Sequence, residues 1–127
     1  MRLSVFGGGS WGTAMAHQLA RRGHEIVLWA REPEVADGIN EEHRNPLFIS
    51  DLDLHPGIVA VNDLDAAADH ADRWLWVVPV QFSRSVMKEL SGSVRGGVKV
   101  ISASKGIETE TLRRMDEVAS EALGLEQ

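Results

Sequence analysis

Apolar and polar residues follow one another along the chain in blocks that predict short strands separated by helices. Five apolar runs have the length and residue content of strands, and they lie at residues 3–6, 25–29, 58–61, 73–78 and 98–102. The second run is apolar almost without interruption, which is typical of a parallel strand that is covered on both faces.

Helical spacing of apolar residues fills the intervals between these runs. The predicted helices span about residues 10–22, 33–42, 63–71, 82–90 and 109–123. Gly23 ends the first helix, Pro33 begins the second, and Asn45-Pro46 breaks the chain after it. Residues 47–57 are the least regular part and predict a loop with a short extended piece. In the fourth helix, Phe82, Val86 and Leu90 recur at helical spacing.

Strands that alternate with helices on short connections predict an α/β fold with a doubly wound, mostly parallel sheet and helices on both faces. The right-handed crossover rule leaves few topologies, and the strand order 3-2-1-4-5 of a Rossmann domain is the one we expect. The 127 residues are enough for one such domain, and we predict that residues 1–127 form it.

The first strand runs into a glycine turn that carries the clearest chemical signal. Gly7, Gly9 and Gly12 occupy the glycine positions of G-x-G-x-x-G. The first permits a tight turn, the second lets a pyrophosphate approach the backbone, and the third lets the helix pack on the strand. The helix that follows presents unpaired N–H groups to an anion. We therefore predict dinucleotide binding, and the alternative is a purely structural turn.

Ligands of doubly wound sheets bind beyond the carboxyl ends of the strands. This rule brings together residues 7–12, 29–32, 78–81 and 102–106, so that Pro79 is expected in the same crevice as the glycine turn.

Two basic residues could complete the crevice. Arg31, after the second strand, could stack on adenine and pair with a 2′-phosphate, while Glu32 stands one position late for the usual contact to a ribose. We expect NADPH or NADH as cofactor, with NADPH slightly favoured. Lys105 could reach a phosphate or carboxylate. The alternative for both residues is a solvated surface charge.

Composition excludes several other classes of function. The net charge of −6 provides no basic field for nucleic acid, and the absence of cysteine removes disulfides and thiolate metal sites. The five histidines show no metal-site spacing, so no metal is predicted. No apolar run is long enough to span a membrane and no signal peptide is recognised, so we expect a cytoplasmic protein without membrane insertion. Trp74 and Trp76 are expected in the core.

Taken together, the motifs resemble the N-terminal domain of the prokaryotic-type NAD(P)-dependent sn-glycerol-3-phosphate dehydrogenases. The resemblance rests on segments spread over nearly the whole chain, namely GGGSWGTA at 7–14, LWAR at 28–31, HRNPLF at 43–48, VP at 78–79 and SASKGIE at 102–108.

The resemblance implies hydride transfer between dihydroxyacetone phosphate and sn-glycerol 3-phosphate with NAD(P)H, feeding glycerophospholipid synthesis. It also implies that Ser10, Trp11, Arg31 and Lys105 contact the cofactor, that Phe48 lies where a tyrosine usually does so, and that Lys105 reaches the phosphorylated substrate. Two departures are Val80, in place of the polar residue expected after Val-Pro, and Gly8, in place of the usual alanine.

Length is the largest departure from the family. Members continue into a helical substrate domain with the catalytic lysine, and hydride transfer to a ketone needs a proton donor that we do not find here. We therefore expect a fragment that is inactive alone, with no catalytic residue of its own, from a protein that could form a homodimer. The alternatives are a stand-alone NAD(P)-binding or sensing module and a related two-domain hydroxy-acid dehydrogenase.

Overall fold

A computed structural model describes residues 1–90, 92, 94, 97–103 and 114–123. Strands and helices alternate through these residues. The strands are β1 (Arg2–Phe6), β2 (Glu25–Trp29), β3 (Val59–Val61), β4 (Arg73–Trp76) and β5 (Lys99–Ser102). The helices are α1 (Ser10–Arg21), α2 (Pro33–Glu42), α3 (Leu64–His70), α4 (Val80–Leu90) and α5 (Met115–Leu123).

The five described strands form one parallel sheet in the order β3-β2-β1-β4-β5, which confirms the predicted fold and topology. Phe6 pairs with Trp29 on one side and with Trp76 on the other, and Trp76 pairs with Ser102. The carboxyl ends of neighbouring strands are therefore in register and end at one edge of the sheet.

Two apolar clusters cover the two faces of the sheet. On one face, Val5 and Leu28 pack with Ala16 of α1 and with Val35 and Ile39 of α2. On the other face the cluster joins aromatic side chains of β1 and β4 to side chains of α3, α4 and α5. It includes Phe6, Trp74 and Trp76 from the strands and Ala67, Met87, Leu90 and Val118 from the helices. The period of two along β1, which places Val5 and Phe6 on opposite faces, explains this division. Trp74 and Trp76 are buried, as predicted.

Several predicted boundaries are corrected by one or a few residues. β4 ends at Trp76 rather than at residue 78, and α4 begins at Val80, two residues before the expected start. Both changes place residues 77–79 in a corner between strand and helix. The predicted start of the last helix at residue 109 lies outside the described residues.

The predicted loop before β3 is confirmed, with one antiparallel bridge between Asn45 and Ile49 as its extended piece. It begins after His43, which ends α2 in a left-handed conformation with φ of 58°. Leu54 anchors its second half in the core. Among the described residues, none of the helices has the length and apolar character needed to cross a membrane.

Candidate functional site

A cavity of about 490 Å³ opens at the carboxyl edge of the sheet, above β1 and between β2 and β4. Its lining includes most of the residues that the sequence singled out, and the full set is Gly7, Gly8, Gly9, Ser10, Trp11, Gly12, Trp29, Arg31, Glu32, Phe48, Val77, Val78, Pro79, Phe82 and Val86. Of the four strand ends that were expected to converge, three do so around this cavity, and residues 104–106 of the fourth lie outside the described residues.

The lining has two parts that are built differently. The turn wall consists of residues 7–12 and Phe48, the lining residue of the loop 45–49, and the corner wall consists of Val77, Val78, Pro79 and Phe82. Trp29, at the end of β2, also lines the cavity and donates its indole N–H to the Asn62 carbonyl at 3.1 Å.

The glycine turn has the close contacts that its sequence predicts. A Cβ on Gly12 would lie 2.0 Å from the Gly7 carbonyl oxygen, and a Cβ on Gly7, whose φ is +126°, would lie 2.8 Å from the Val77 carbonyl carbon. Helix α1 can therefore approach β1 this closely only because both positions lack a side chain. A Cβ on Gly9, in contrast, would meet nothing within 4 Å, so this glycine borders open space.

The beginning of α1 is arranged to receive an anion. Its N-cap residue is Gly9, which provides no side-chain cap, and its first turn contains no acidic residue. The first N–H groups of a helix have no acceptor within the helix and carry the positive end of its dipole. This helix start therefore has the polarity that suits an anion, and open space adjoins it at Gly9.

Arg31 and Glu32 lie together at the cavity rim, where β2 leads into α2. Arg31 is exposed, and its position is fixed through the backbone, since Asn62 donates to the Ala30 and Arg31 carbonyls at 3.0 and 2.6 Å. The backbone at Arg31 is therefore held, while its exposed side chain lies at the cavity rim.

Trp11 and Phe48 are large side chains that remain exposed, at 61% and 44%, beside the glycine turn. Phe48 belongs to the loop after α2, and its carbonyl oxygen accepts a hydrogen bond of 2.8 Å from the Ser10 hydroxyl. Ser10 thus joins the helix start to the loop, a contact that the sequence did not reveal.

Pro79 and Val78 form the corner wall as expected, together with Phe82. The helical spacing of Phe82 with Val86 and Leu90 suggested one apolar face, but Phe82 is 57% exposed and borders the cavity, whereas Val86 and Leu90 are buried. The difference arises because Phe82 lies in the first turn of α4, beyond the edge of the sheet. An aromatic residue three positions after the proline of a Val-Pro corner is the signal that could have placed it.

Lys105, predicted to contact both cofactor and substrate, lies outside the described residues. The histidines lie away from the cavity lining. His17 accepts a hydrogen bond from the His55 backbone at 3.0 Å, and burial, together with Arg21 and His55, lowers its pKa. Within the described ranges, no three side chains of the metal-binding kinds lie close enough to hold an ion.

The chain matches the family model described as the N-terminus of NAD-dependent glycerol-3-phosphate dehydrogenase over residues 2–127. A glycerol-3-phosphate dehydrogenase [NAD(P)+] of Nitratidesulfovibrio vulgaris is 46% identical over 123 residues, which are 97% of this chain and 37% of that protein. One of Paramagnetospirillum magneticum is 46% identical over 94% of this chain and 44% of that protein.

Solved structures agree with these matches. The glycerol-3-phosphate dehydrogenase of Coxiella burnetii superimposes with a TM-score of 0.89 at 27% identity, over 98% of this chain and 38% of that one. The enzyme of Saccharomyces cerevisiae gives 0.88 at 26% identity, over 98% of this chain and 40% of that one. The chain therefore spans less than half the length of each of these relatives.

Proposed function

Since the chain belongs to the family of NAD-dependent glycerol-3-phosphate dehydrogenases, as a match to their N-terminus, we propose that it binds the nicotinamide dinucleotide of an enzyme that interconverts dihydroxyacetone phosphate and sn-glycerol 3-phosphate. The observation that carries this proposal is the uncapped start of α1, which borders open space at Gly9 beside a cavity at the carboxyl edge of a parallel sheet.

The proposed contacts divide along the dinucleotide. Gly7, Gly9 and Gly12 let the diphosphate approach the N–H groups of the turn, and Ser10 and Trp11 border it at the helix start. Arg31 faces the ribose and adenine end. Phe48 and Pro79 border the cavity from the loop and from the corner wall. When bound, the reduced nicotinamide supplies a hydride. Residues of the chain hold the nicotinamide in place and limit the access of water to it.

The decisive experiment uses the protein at its natural length. NADPH and NADH are titrated while tryptophan fluorescence is followed, because Trp11 and Trp29 line the cavity. We expect saturable binding of at least one dinucleotide, and oxidation of the reduced cofactor when dihydroxyacetone phosphate is added. Binding without turnover on this ketone would support the alternative of a binding or sensing module, whereas absence of binding would refute the proposal.

The natural reading frame separates the same two alternatives at the level of the gene. Continuation past Gln127 into a helical region with a lysine supports the enzyme, and a stop codon there supports the module.

The proposal also includes a role in glycerophospholipid synthesis, a cytoplasmic location and a homodimer of the natural protein. Growth rescue tests the first, cell fractionation tests the second, and sedimentation equilibrium tests the third.

Lys105 is the residue that we propose for the phosphorylated substrate. Lys105→Ala should raise KM for dihydroxyacetone phosphate about tenfold and lower kcat. Water that fills the space of the lost ammonium group cannot restore its charge-assisted hydrogen bond to the phosphate. Lys99→Ala is the matched control, since Lys99 is exposed at the amino end of β5, at the opposite edge of the sheet. Equal kinetics in the two variants would make Lys105 a surface lysine.

A further inference from the structure

Asn45 is fully buried in the loop after α2, with 0% of its surface exposed, yet its side chain reaches the glycine turn far away in sequence. We propose that Asn45 is a positioning residue of the dinucleotide site, which locks the turn and the Phe48 loop into the one arrangement that accepts a diphosphate. This inference rests on the proposed function, because it assigns the residue that shapes the same site.

Both ends of the Asn45 amide are used. Its nitrogen donates to the Gly8 carbonyl at 2.7 Å and to the Thr13 hydroxyl at 2.9 Å. Its oxygen accepts from the backbone N–H groups of Leu47 and Phe48, at 3.3 and 3.2 Å. An asparagine side chain has two donor hydrogens and two acceptor lone pairs, so the full capacity of the group is spent on these four bonds.

On the side of the turn, the bond to Gly8 fixes the orientation of a peptide. In a planar trans peptide the carbonyl oxygen and the next N–H point in opposite directions. Because Asn45 holds the Gly8 carbonyl, the N–H of Gly9 faces away from the loop, and among the described residues it has no acceptor. An N–H held in this way is available to a phosphate oxygen.

On the side of the loop, Asn45 and Ser10 hold Phe48 from both directions. The Phe48 N–H donates to Asn45, and the Phe48 carbonyl accepts from Ser10 at 2.8 Å. The loop is therefore bonded both to the turn and to the start of α1, and the aromatic ring is placed at the cavity rim.

Packing fixes where Asn45 stands. The ring of Pro46 lies against α2 so closely that a Cβ on Gly38 would be 2.6 Å from the proline Cδ. The chain can approach α2 this closely because position 38 is a glycine. Asn45 thus directly precedes a proline that packs against α2, and this packing holds the backbone at that point of the loop.

The test replaces Asn45 by a residue of the same shape that lacks its donors. Asn45→Asp keeps two acceptors for Leu47 and Phe48 but loses both N–H bonds and places a carboxylate beside the Gly8 carbonyl. In the protein at its natural length, we expect the Kd for NADPH, or for NADH if that dinucleotide binds better, to rise about tenfold or more.

Asn40→Asp is the matched control. Asn40 also uses both ends of its amide, since it donates to the Ala60 carbonyl and accepts from the Ala60 N–H at 2.8 Å each, but it does so at β3 rather than at the turn. We expect this variant to melt at a lower temperature while its Kd stays within about twofold of wild type. Binding is compared at a temperature at which all the variants are folded.

Thr13→Val provides a second test should Asn45→Asp fail to fold. It removes one partner of Asn45 and should raise the Kd about threefold, and in the double variant this effect should not add to that of Asn45→Asp. A Kd within twofold of wild type in the folded Asn45 variant, or in Thr13→Val when that variant alone folds, would overturn the inference. So would an equal loss in Asn40→Asp. If the wild type binds neither dinucleotide, the proposed function itself fails.

Discussion

The two walls of the cavity face the same space but are held in place by different forces. The turn wall is fixed by hydrogen bonds, with Asn45, Thr13 and Ser10 bonded to backbone groups or to one another. The corner wall presents apolar side chains, and its bonds lie behind it, where the buried Ser83 hydroxyl accepts from the Trp76 indole at 2.9 Å and bonds to the Val78 carbonyl at 3.0 Å.

The difference shows how each wall can serve a different part of one ligand. Hydrogen bonds are directional, and they can hold individual carbonyls away from a charged group so that N–H groups remain for it. Apolar packing fixes a surface without prescribing any orientation of polar atoms. Under the proposed function, the turn wall serves the diphosphate and the corner wall serves a flat ring. The following predictions test this division.

The largest expected effect concerns the turn wall and follows from Gly12. Gly12→Ala places a methyl group 2.0 Å from the Gly7 carbonyl oxygen, so the helix and the turn must separate. We expect the free energy of unfolding to fall by about 2–3 kcal/mol and the Kd for the dinucleotide to rise about 100-fold. Urea denaturation and fluorescence titration measure the two effects.

Gly9→Ala is the contrasting variant in the same turn. Its Cβ meets nothing within 4 Å and its φ of −74° suits alanine, so the free energy of unfolding should change by no more than about 1 kcal/mol. The dinucleotide should nevertheless bind more weakly, because the added methyl group occupies the space next to the diphosphate. A variant that binds as well as wild type would place the diphosphate elsewhere.

Arg31 tests whether the 2′-phosphate of NADPH is recognised at the rim of the cavity. Arg31→Ala should raise the Kd for NADPH about tenfold and leave the Kd for NADH within about twofold, because only NADPH carries the 2′-phosphate. The ratio of the two constants is the measurement, and it should shrink at high salt. A ratio that is the same before and after the substitution contradicts the 2′-phosphate role.

Ser83 tests the corner wall. Ser83→Ala removes the acceptor that the buried Trp76 indole uses, and we expect a loss of about 1–2 kcal/mol in the free energy of unfolding with the Kd for the dinucleotide within about threefold of wild type. Ser85→Ala, on the exposed side of the same helix, should change stability by less than about 0.5 kcal/mol. A large loss of binding in the Ser83 variant would show that both walls depend on polar positioning.

The smallest expected effect is a dependence of the stability on pH, and it arises at His17 in α1, the helix that follows the glycine turn. His17 joins α1 to the loop through His55, and its pKa is lowered first by burial and then by Arg21 and His55. The unfolded chain therefore binds a proton more readily than the folded one, so stability should fall as pH decreases below about 6.5.

His17→Gln should flatten this dependence, because glutamine can accept the same bond without titrating. Urea midpoints of wild type and variant in the same series of buffers provide the comparison. Parallel pH profiles for the two proteins would show that His17 does not contribute.

The sheet and most of the cavity lining could be predicted from the sequence, because both depend on local patterns. Apolar runs located the strands within a few residues, and crossover handedness with the glycine motif fixed their order. The same rule placed Gly7, Gly12 and Pro79 at one edge, since parallel strands in register share their carboxyl edge.

Asn45 could not be predicted, for a physical reason. The pair Asn45-Pro46 indicates only a break after a helix, while the function of the side chain depends on its contact with Gly8 and Thr13. The exposure of Phe82 could not be predicted for a related reason, because its helical spacing matches that of the buried Val86 and Leu90, whereas its burial depends on what lies beside the first turn of the helix. Contacts between distant segments decide both cases.

The central position of β1 has a consequence for how the chain folds. Met1 to Trp29 can form β1, α1 and β2 from neighbouring sequence, but the other edge of β1 is completed only when Ser4 meets Trp74 and Phe6 meets Trp76. During synthesis, β1 in the middle of the sheet leaves the ribosome before β4, so one of its edges stays unpaired until β4 has been made. Closing this long loop is the slow step that we expect to limit the folding rate.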